Sequence, residues 1–317
     1  MPSASLVIPT FNRAEMLEIA LRTVGALRRP RGWRIEVLVM DNNSQDRTAA
    51  VVASLQDAFP FPLRRVIEPK QGLNHARNRG MQEAGGDWLV YLDDDIRMAS
   101  GWLEAFADAV QRLEPDAVVG PVLPWFEGEV PSWCTGRVLD SVTSAYSRKG
   151  DRLLIVPRDR AHELPGCNFA VRLRLAREVG GFHPALDRSG DGMLAGGDFE
   201  FGKRLRRCGA RVVYVPGCRV DHFVSRGKMS KIGLRQRWYG LGQTERAIAA
   251  LLGEQRSGRQ KLRALARLAR FEVRACLQRY RAPHLAFRWE LEALRLRGAL
   301  FGDVSAFAAV ETELGAT

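Results

Sequence analysis

The sequence predicts an α/β protein: a mixed, mainly parallel sheet flanked by helices, followed by a helical carboxyl-terminal extension. Three observations carry this. Short apolar, β-rich runs alternate with stretches of helical periodicity through the first 120 residues, the pattern of a parallel sheet covered on both faces. Several of these runs end in polar or acidic residues, at the strand ends where open α/β sheets bind ligands. After Gly227 the strand pattern stops and helical spacing takes over.

In chain order, residues 6–9 read as a strand and 13–27 as a helix. Residues 35–40 form the second strand, ending at Asp41, and Ser44 or Asp46 caps the helix that runs to residue 59. Strand 63–67, helix 74–84, strand 88–92, helix 100–113 and strand 117–120 complete the first half. Residues 121–165 are irregular, with aromatic and proline clusters at Pro124-Trp125-Phe126 and Pro131-Ser132-Trp133 that serve either as core or as a platform for a sugar or lipid. Strand 166–171, helix 173–179, a glycine-rich segment at 189–197 that reads as mobile, helix 199–208 and strand 211–215 follow.

In the tail, Leu262, Leu265, Ala266, Ala269, Val273, Cys276 and Tyr280 share one helical face, with Arg263, Arg267, Arg270, Arg274 and Arg281 along its side. This is either a docking helix with a solvated arginine edge or a helix on an anionic membrane surface. Pro283 breaks it, and a further helix runs to Leu300.

The net charge of +12 is unevenly placed: residues 226–297 hold 18 Lys/Arg against 5 Asp/Glu. An anionic partner for that quarter follows. Nucleic-acid readers interleave aromatics with their charge, whereas this tail is aliphatic between its arginines, so no nucleic acid is expected. No apolar run approaches the roughly 18 residues of a membrane span, and the amino terminus carries no export-signal pattern. Five scattered cysteines without a C-x-x-C pair indicate neither a zinc site nor a disulfide framework. The expected compartment is the cytoplasm, with peripheral attachment to the inner membrane face as an option.

Three aspartates, Asp93, Asp94 and Asp95, close the apolar run 88–92. Packed carboxylates repel one another, so the turn is either well solvated or holds a positive charge. A hard divalent cation takes one or two carboxylates and leaves positions for water and phosphate. Three other segments belong at the same edge: Pro9-Thr10-Phe11-Asn12-Arg13, Asp41-Asn42-Asn43-Ser44, and Gln71-Gly72-Leu73-Asn74 with Arg77-Asn78-Arg79-Gly80. In this order and at these separations, the four resemble the motifs of the family 2 inverting glycosyltransferases, single Rossmann-like domains of the GT-A fold. The resemblance covers residues 4–245.

That resemblance implies a GT-A domain over 1–225, with a donor half at 1–120 and an acceptor half at 121–225, and a basic helical region at 226–317. It implies transfer of one sugar from a nucleotide-diphosphate sugar, with uridine the expected nucleoside, to an acceptor hydroxyl on a lipid-linked or cell-surface glycan. The cofactor is a divalent cation, Mg²⁺ or Mn²⁺. Pro9, Thr10, Phe11, Arg13, Asn43 and Gly72 would line the donor site, and Asp41 would accept from the base N–H or merely cap the next helix. Asp93 and Asp95 divide ribose and metal between them; the family's usual ligand is the last acid, Asp95, with Asp94 on the donor side. Arg77 would pair with Asp41 or Asp93.

Gly166-Cys167-Asn168-Phe169-Ala170 resembles the family strand bordering the transferred sugar, which places Asn168 on the acceptor side. Gly197-Asp198-Phe199-Glu200 resembles the family's acidic pair, with Gly197 where Glu is common. Asp198 is then the catalytic base or only a helix cap, and Glu200 an acceptor-side residue. His222 either completes the metal shell, as the family implies, or is structural. Arg226, Lys228 and Arg235 would clamp the departing diphosphate. Arg237-Trp238 resembles the Q-x-x-R-W signature of processive synthases, but Leu234 stands at the Gln position, which points to addition of a single sugar. A sugar nucleotidyltransferase would instead show a glycine-rich phosphate loop near the amino terminus, which Pro9-Thr10-Phe11-Asn12-Arg13 lacks. A non-catalytic membrane or nucleic-acid binding protein using the basic tail is the other alternative.

Overall fold

The computed structural model describes residues 1–143, 150–157, 164–187, 196–254 and 256–303. The chain divides into two compact units. The first gathers residues 1–125, 144–183 and 197–223; the second gathers 126–143, 184–196 and 224–317. The division is therefore not a single cut after residue 225, because two internal segments join the carboxyl-terminal helices. Most of the glycine-rich segment expected to be mobile, through Ala195, lies outside the described residues.

The first unit is built on an eight-stranded sheet. Its strands are β1 (Ser3–Thr10), β2 (Arg34–Asp41), β3 (Leu63–Ile67), β4 (Trp88–Leu92), β6 (Ala117–Val119), β8 (Leu154–Ile155), β9 (Asn168–Arg172) and β10 (Val212–Tyr214). Their order is β3-β2-β1-β4-β9-β6-β10-β8. The sheet is mixed and mainly parallel, with β9 antiparallel to both β4 and β6 and β8 antiparallel to β10. A small sheet of β5 (Ile96–Met98), β11 (Val220–Val224) and β7 (Val122–Phe126) flanks it. β5, β7, β8 and β11 were absent from the sequence expectation.

Helices α1 (Ala14–Gly25), α2 (Thr48–Gln56), α3 (Leu73–Glu83), α4 (Trp102–Leu113), α6 (Leu173–Glu178) and α7 (Gly197–Arg207) complete the unit. The central strands are apolar on both sides because both faces are covered. In β1, Leu6 and Ile8 join a core with Leu17 and Leu21 of α1 and Phe106 of α4. Val7 points the other way, into a core with Ala76 of α3 and Phe201 of α7. Gly80 lets α3 lie close on the sheet, since a Cβ there would come within 2.3 Å of a Val7 methyl.

The second unit contains α5 (Gly136–Thr143), α8 (Lys231–Leu251), α9 (Gly258–Gln278) and α10 (Pro283–Phe301). Its core gathers Cys134, Val138, Leu234, Trp238, Phe287 and Leu291. α8 and α10 touch backbone to backbone, where a Cβ on Gly242 would lie 2.0 Å from the Arg295 carbonyl oxygen. A capping box between Ser257 and Gln260 starts α9, and Pro283 occupies the first turn of α10. Of the two alternatives for the apolar face of α9, docking through that face is not seen: Leu262, Leu265 and Val273 are exposed, and Leu268 is the buried residue of the helix. No helix among the described residues is long and apolar enough to cross a membrane.

Candidate active site

Register places the polar strand ends together. Thr10 ending β1 pairs with Asp41 ending β2, which pairs with Ile67 ending β3. β9 runs the other way, so its first residue, Asn168, lies opposite Leu92, the last of β4. The loop entering β9 therefore meets the acidic turn leaving β4. β5 follows that turn directly, and His222 on β11 pairs with Ile96. The imidazole thus reaches the aspartates through the small sheet.

The three carboxylates do different things. Asp94 is buried and tied to the frame, accepting from the Thr10 hydroxyl at 2.8 Å and from Arg13 at 2.8 Å. Burial pushes its pKa up to about 7, with Arg13 and Thr10 pulling it down and Asp95 and Asp93 adding to the rise. Arg13 spans two aspartates, donating also to Asp95 Oδ2 at 2.9 Å. Partial burial works against its charge, but Asp94 and Asp95 outweigh that and raise its pKa. The other oxygen of Asp95 lies 3.2 Å from His222 Nε2, and Asp93 Oδ2 lies 3.9 Å from the same nitrogen.

Asp95 and Asp93 thus each approach the His222 imidazole, and carboxylate and imidazole donors suit a divalent cation. Ligands about 2.1 Å from a small octahedral ion stand about 3 Å from one another, close to the spacing of Asp95 and His222. Cys167 was not anticipated: its sulfur and the donor atoms of Asp93 and His222 all lie within 4.8 Å of one another. Burial pushes the Cys167 thiol well above its ordinary range, and Asp93, Asp95 and Asp198 push it further. No C-x-x-C spacing announces this cysteine; the reversal of β9 brings it in.

Arg77 links this cluster to Asp198. Its guanidinium lies 3.4 Å from Asp93 Oδ1 and donates to the Gly166 carbonyl at 3.1 Å. The Gly166 N–H in turn donates to Asp198 Oδ2 at 3.1 Å. Gly166 lets both side chains approach, since a Cβ there would stand 2.5 Å from Asp198 Oδ2 and 2.9 Å from Arg77 and would displace them. Asp198 is half-buried in the first turn of α7, and its Oδ1 accepts the Phe199 N–H at 2.9 Å. At Gly197, where the family pattern has an acid, a Cβ would stand 2.4 Å from the Asn74 amide nitrogen.

On the donor side, Phe11 is exposed and Pro9 is buried in β1. Asn12, Arg13, Gln45, Asp46 and Arg47 help line a hollow of about 530 Å³. Asn43 is exposed with φ +68°, and Gly72 opens α3 at φ +139° with its N–H on the Asn42 side chain. Asn42, which sequence reasoning passed over, also donates to the Glu68 and Lys70 carbonyls. Asp46 rather than Ser44 does the capping, accepting from the Ala14 N–H of α1 and the Thr48 N–H of α2.

Several expectations are corrected. Asp41 is 1% exposed, with its oxygens on the Ser44 N–H and on Arg65 at 2.8 Å, so in this structure it presents no edge to a base. Arg77 pairs with Asp93 and not with Asp41. Asn168 is fully buried: it accepts from Trp102 Nε1 and donates to the Pro121 and Cys218 carbonyls, bracing the strands rather than facing an acceptor. Glu200 is 1% exposed and bound through both oxygens by Arg204, so it anchors α7. Arg235 is held by Glu290 at 2.6 Å within the helical unit. The expectation for Arg226 and Lys228 is not contradicted: the Arg226 N–H donates to Glu127 and its side chain is exposed.

The model of the family "Glycosyl transferase family 2" matches residues 5–180. The chain belongs to that family. It is a glycosyltransferase acting on nucleotide sugars, which decides against the nucleotidyltransferase reading. It is 27% identical to the succinoglycan biosynthesis protein ExoM of Rhizobium meliloti, over 79% of this chain and 77% of the relative. It is 29% identical to the glycosyltransferase AglE of Haloferax volcanii, over 69% of this chain and 67% of the relative. Among solved structures, the mannosyltransferase PcManGT from Pyrobaculum calidifontis, in complex with GDP-Man and Mn²⁺, matches with TM-score 0.56 and 20% identity, over 99% of this chain and 80% of that one. That likeness identifies the GT-A fold.

Proposed function

We propose that this family 2 enzyme is an inverting transferase that moves one sugar from a nucleotide-diphosphate donor, a UDP-sugar, to an acceptor hydroxyl on a lipid-linked or cell-surface glycan. The single observation that carries the reading is the Arg77–Gly166 link. It ties the acidic cluster to the half-buried carboxylate of Asp198.

In this reading Phe11 and Arg13 border the nucleotide. Asp93, Asp95 and His222 would hold a divalent cation, Mg²⁺ or Mn²⁺. When bound, that ion neutralises charge growing on the departing diphosphate. Asp198 accepts the proton of the acceptor hydroxyl. The freed oxygen forms the new bond to the anomeric carbon from the face opposite the diphosphate, the bond to the phosphate oxygen breaks, and the nucleoside diphosphate leaves with the electron pair. A positioned base of this kind contributes about 10²–10⁴-fold.

Asp198→Asn, assayed with a panel of nucleotide sugars and glycan acceptors, should lower kcat by about 10²–10⁴ while donor affinity holds. Unchanged turnover in this variant, or a product that retains the donor's anomeric configuration by NMR, overturns the mechanism. Loss of donor affinity with EDTA, restored by Mn²⁺, is the expected signature of the cation.

A further inference from the structure

The amphipathic helix α9 is held by one face only. Leu268 is buried, Phe271 stacks on Trp289 of α10 at 5.4 Å, and Gln278 accepts from Trp289 Nε1 at 3.0 Å. Glu272, the only acid of α9, is taken by Arg297. At about 100° per residue these contacts fall within roughly a third of the helix circumference. The opposite face is apolar and open to solvent: Leu262 is 68% exposed, Val273 56% and Leu277 71%, with Leu265 beside them and Tyr280 just beyond the helix end.

Charge borders that stripe on both sides. Arg263, Arg270 and Arg281 follow one edge, Lys261 and Arg279 the other, and all are exposed, while the Arg274 guanidinium lies over the Trp289 ring at 4.8 Å. Five large apolar side chains aligned away from the packed face form a contiguous patch, unlike the single exposed apolar residues found on any surface. Nucleic-acid phosphates would meet the cations and leave the stripe in water. An anionic bilayer meets both, because apolar side chains enter the acyl boundary while Lys and Arg stay at headgroup level.

We propose that α9 lies in the plane of an anionic lipid surface, with Leu262, Leu265, Val273, Leu277 and Tyr280 inserted and the flanking arginines on the headgroup phosphates. The contact is peripheral, and it is independent of the transfer chemistry.

The test is flotation of the full chain with vesicles of equal parts phosphatidylcholine and phosphatidylglycerol, against vesicles of phosphatidylcholine alone. The wild type should float with the anionic vesicles only. Leu262→Glu/Val273→Glu, altering exposed positions, should abolish flotation while the thermal melt stays native. Arg263→Gln/Arg270→Gln should weaken partitioning about fivefold per charge removed, and added salt should weaken the wild type in the same direction. Transfer to a soluble acceptor should be unchanged in every variant. Failure to float on anionic vesicles, or equal flotation on neutral ones, overturns the proposal. So does a lipid-free dimer that Leu262→Glu/Val273→Glu dissociates, which would make the stripe a face for a second copy.

Discussion

Replacing Arg204 by Met probes how α7 is held, and with it the catalytic candidate Asp198 in the same helix. Glu200 is 1% exposed, and Arg204 binds its two oxygens at 2.6 and 2.7 Å. Arg204 also donates to the Val179 and Gly181 carbonyls, tying α7 to the turn after α6. Methionine fills similar volume but strands the carboxylate, and a buried charge that loses its partner costs about 3–5 kcal/mol. At about 2–4 °C per kcal/mol, Tm should fall by about 6–20 °C. The double variant Glu200→Gln/Arg204→Met removes the stranded charge and should be more stable than Arg204→Met alone. Urea titration and a double-mutant cycle measure both quantities. A loss below about 1 kcal/mol for Arg204→Met, or a double variant no better than the single, refutes the buried-anchor account. Kinetics add a second arm: Glu200→Gln should leave the acceptor KM unchanged, whereas a contact with acceptor would raise it.

Two further outcomes follow from the same logic. Asp46→Ala should cost about 1 kcal/mol by removing the acceptor for the first amides of α1 and α2; burial pushes the Asp46 pKa up, but the Thr48 hydroxyl and the Ala14 and Thr48 amides hold it below the usual carboxylate range. Its folded pKa is depressed, so this stabilisation is present above the unfolded value near about 4 and is lost as pH falls through the folded one, and the gap between wild type and variant in urea melts should close in acid. Asn168→Ala should lose at least about 3 kcal/mol, since it orphans the Trp102 N–H and two carbonyls at about 1–3 kcal/mol each; a variant of native stability with a raised acceptor KM would restore Asn168 to the acceptor side.

Legibility in the sequence followed length and periodicity. Strands 63–67 and 88–92 were read to the residue because each is a five-residue β-rich run. β5 and β8, with three and two residues, have no period to detect. At the site, the aspartate turn and His222 were legible as residue types. The partner of each was not: Arg13 on Asp94 and Arg65 on Asp41 are contacts between elements distant in sequence. Asn168 and Glu200 misled because a polar residue in a motif looks the same whether it faces a ligand or braces the core. In α9 the arginine edge and apolar stripe were read correctly as a pattern, but periodicity cannot say which face packs, and Leu268 with Phe271 took that role.

The reversed strand β9 has a consequence for biosynthesis. β1 to β4 leave the ribosome first and can assemble as a four-stranded parallel set whose outer strand, β4, is the fully buried run Trp88–Leu92. Its free side pairs with β9, so Leu92 waits for Asn168 to be translated. Through that interval a long apolar edge faces other nascent chains, the situation in which intermolecular strand pairing competes with folding. Slow translation or scarce chaperone should therefore harm yield before it harms the finished enzyme, and a chain truncated ahead of β9 should aggregate.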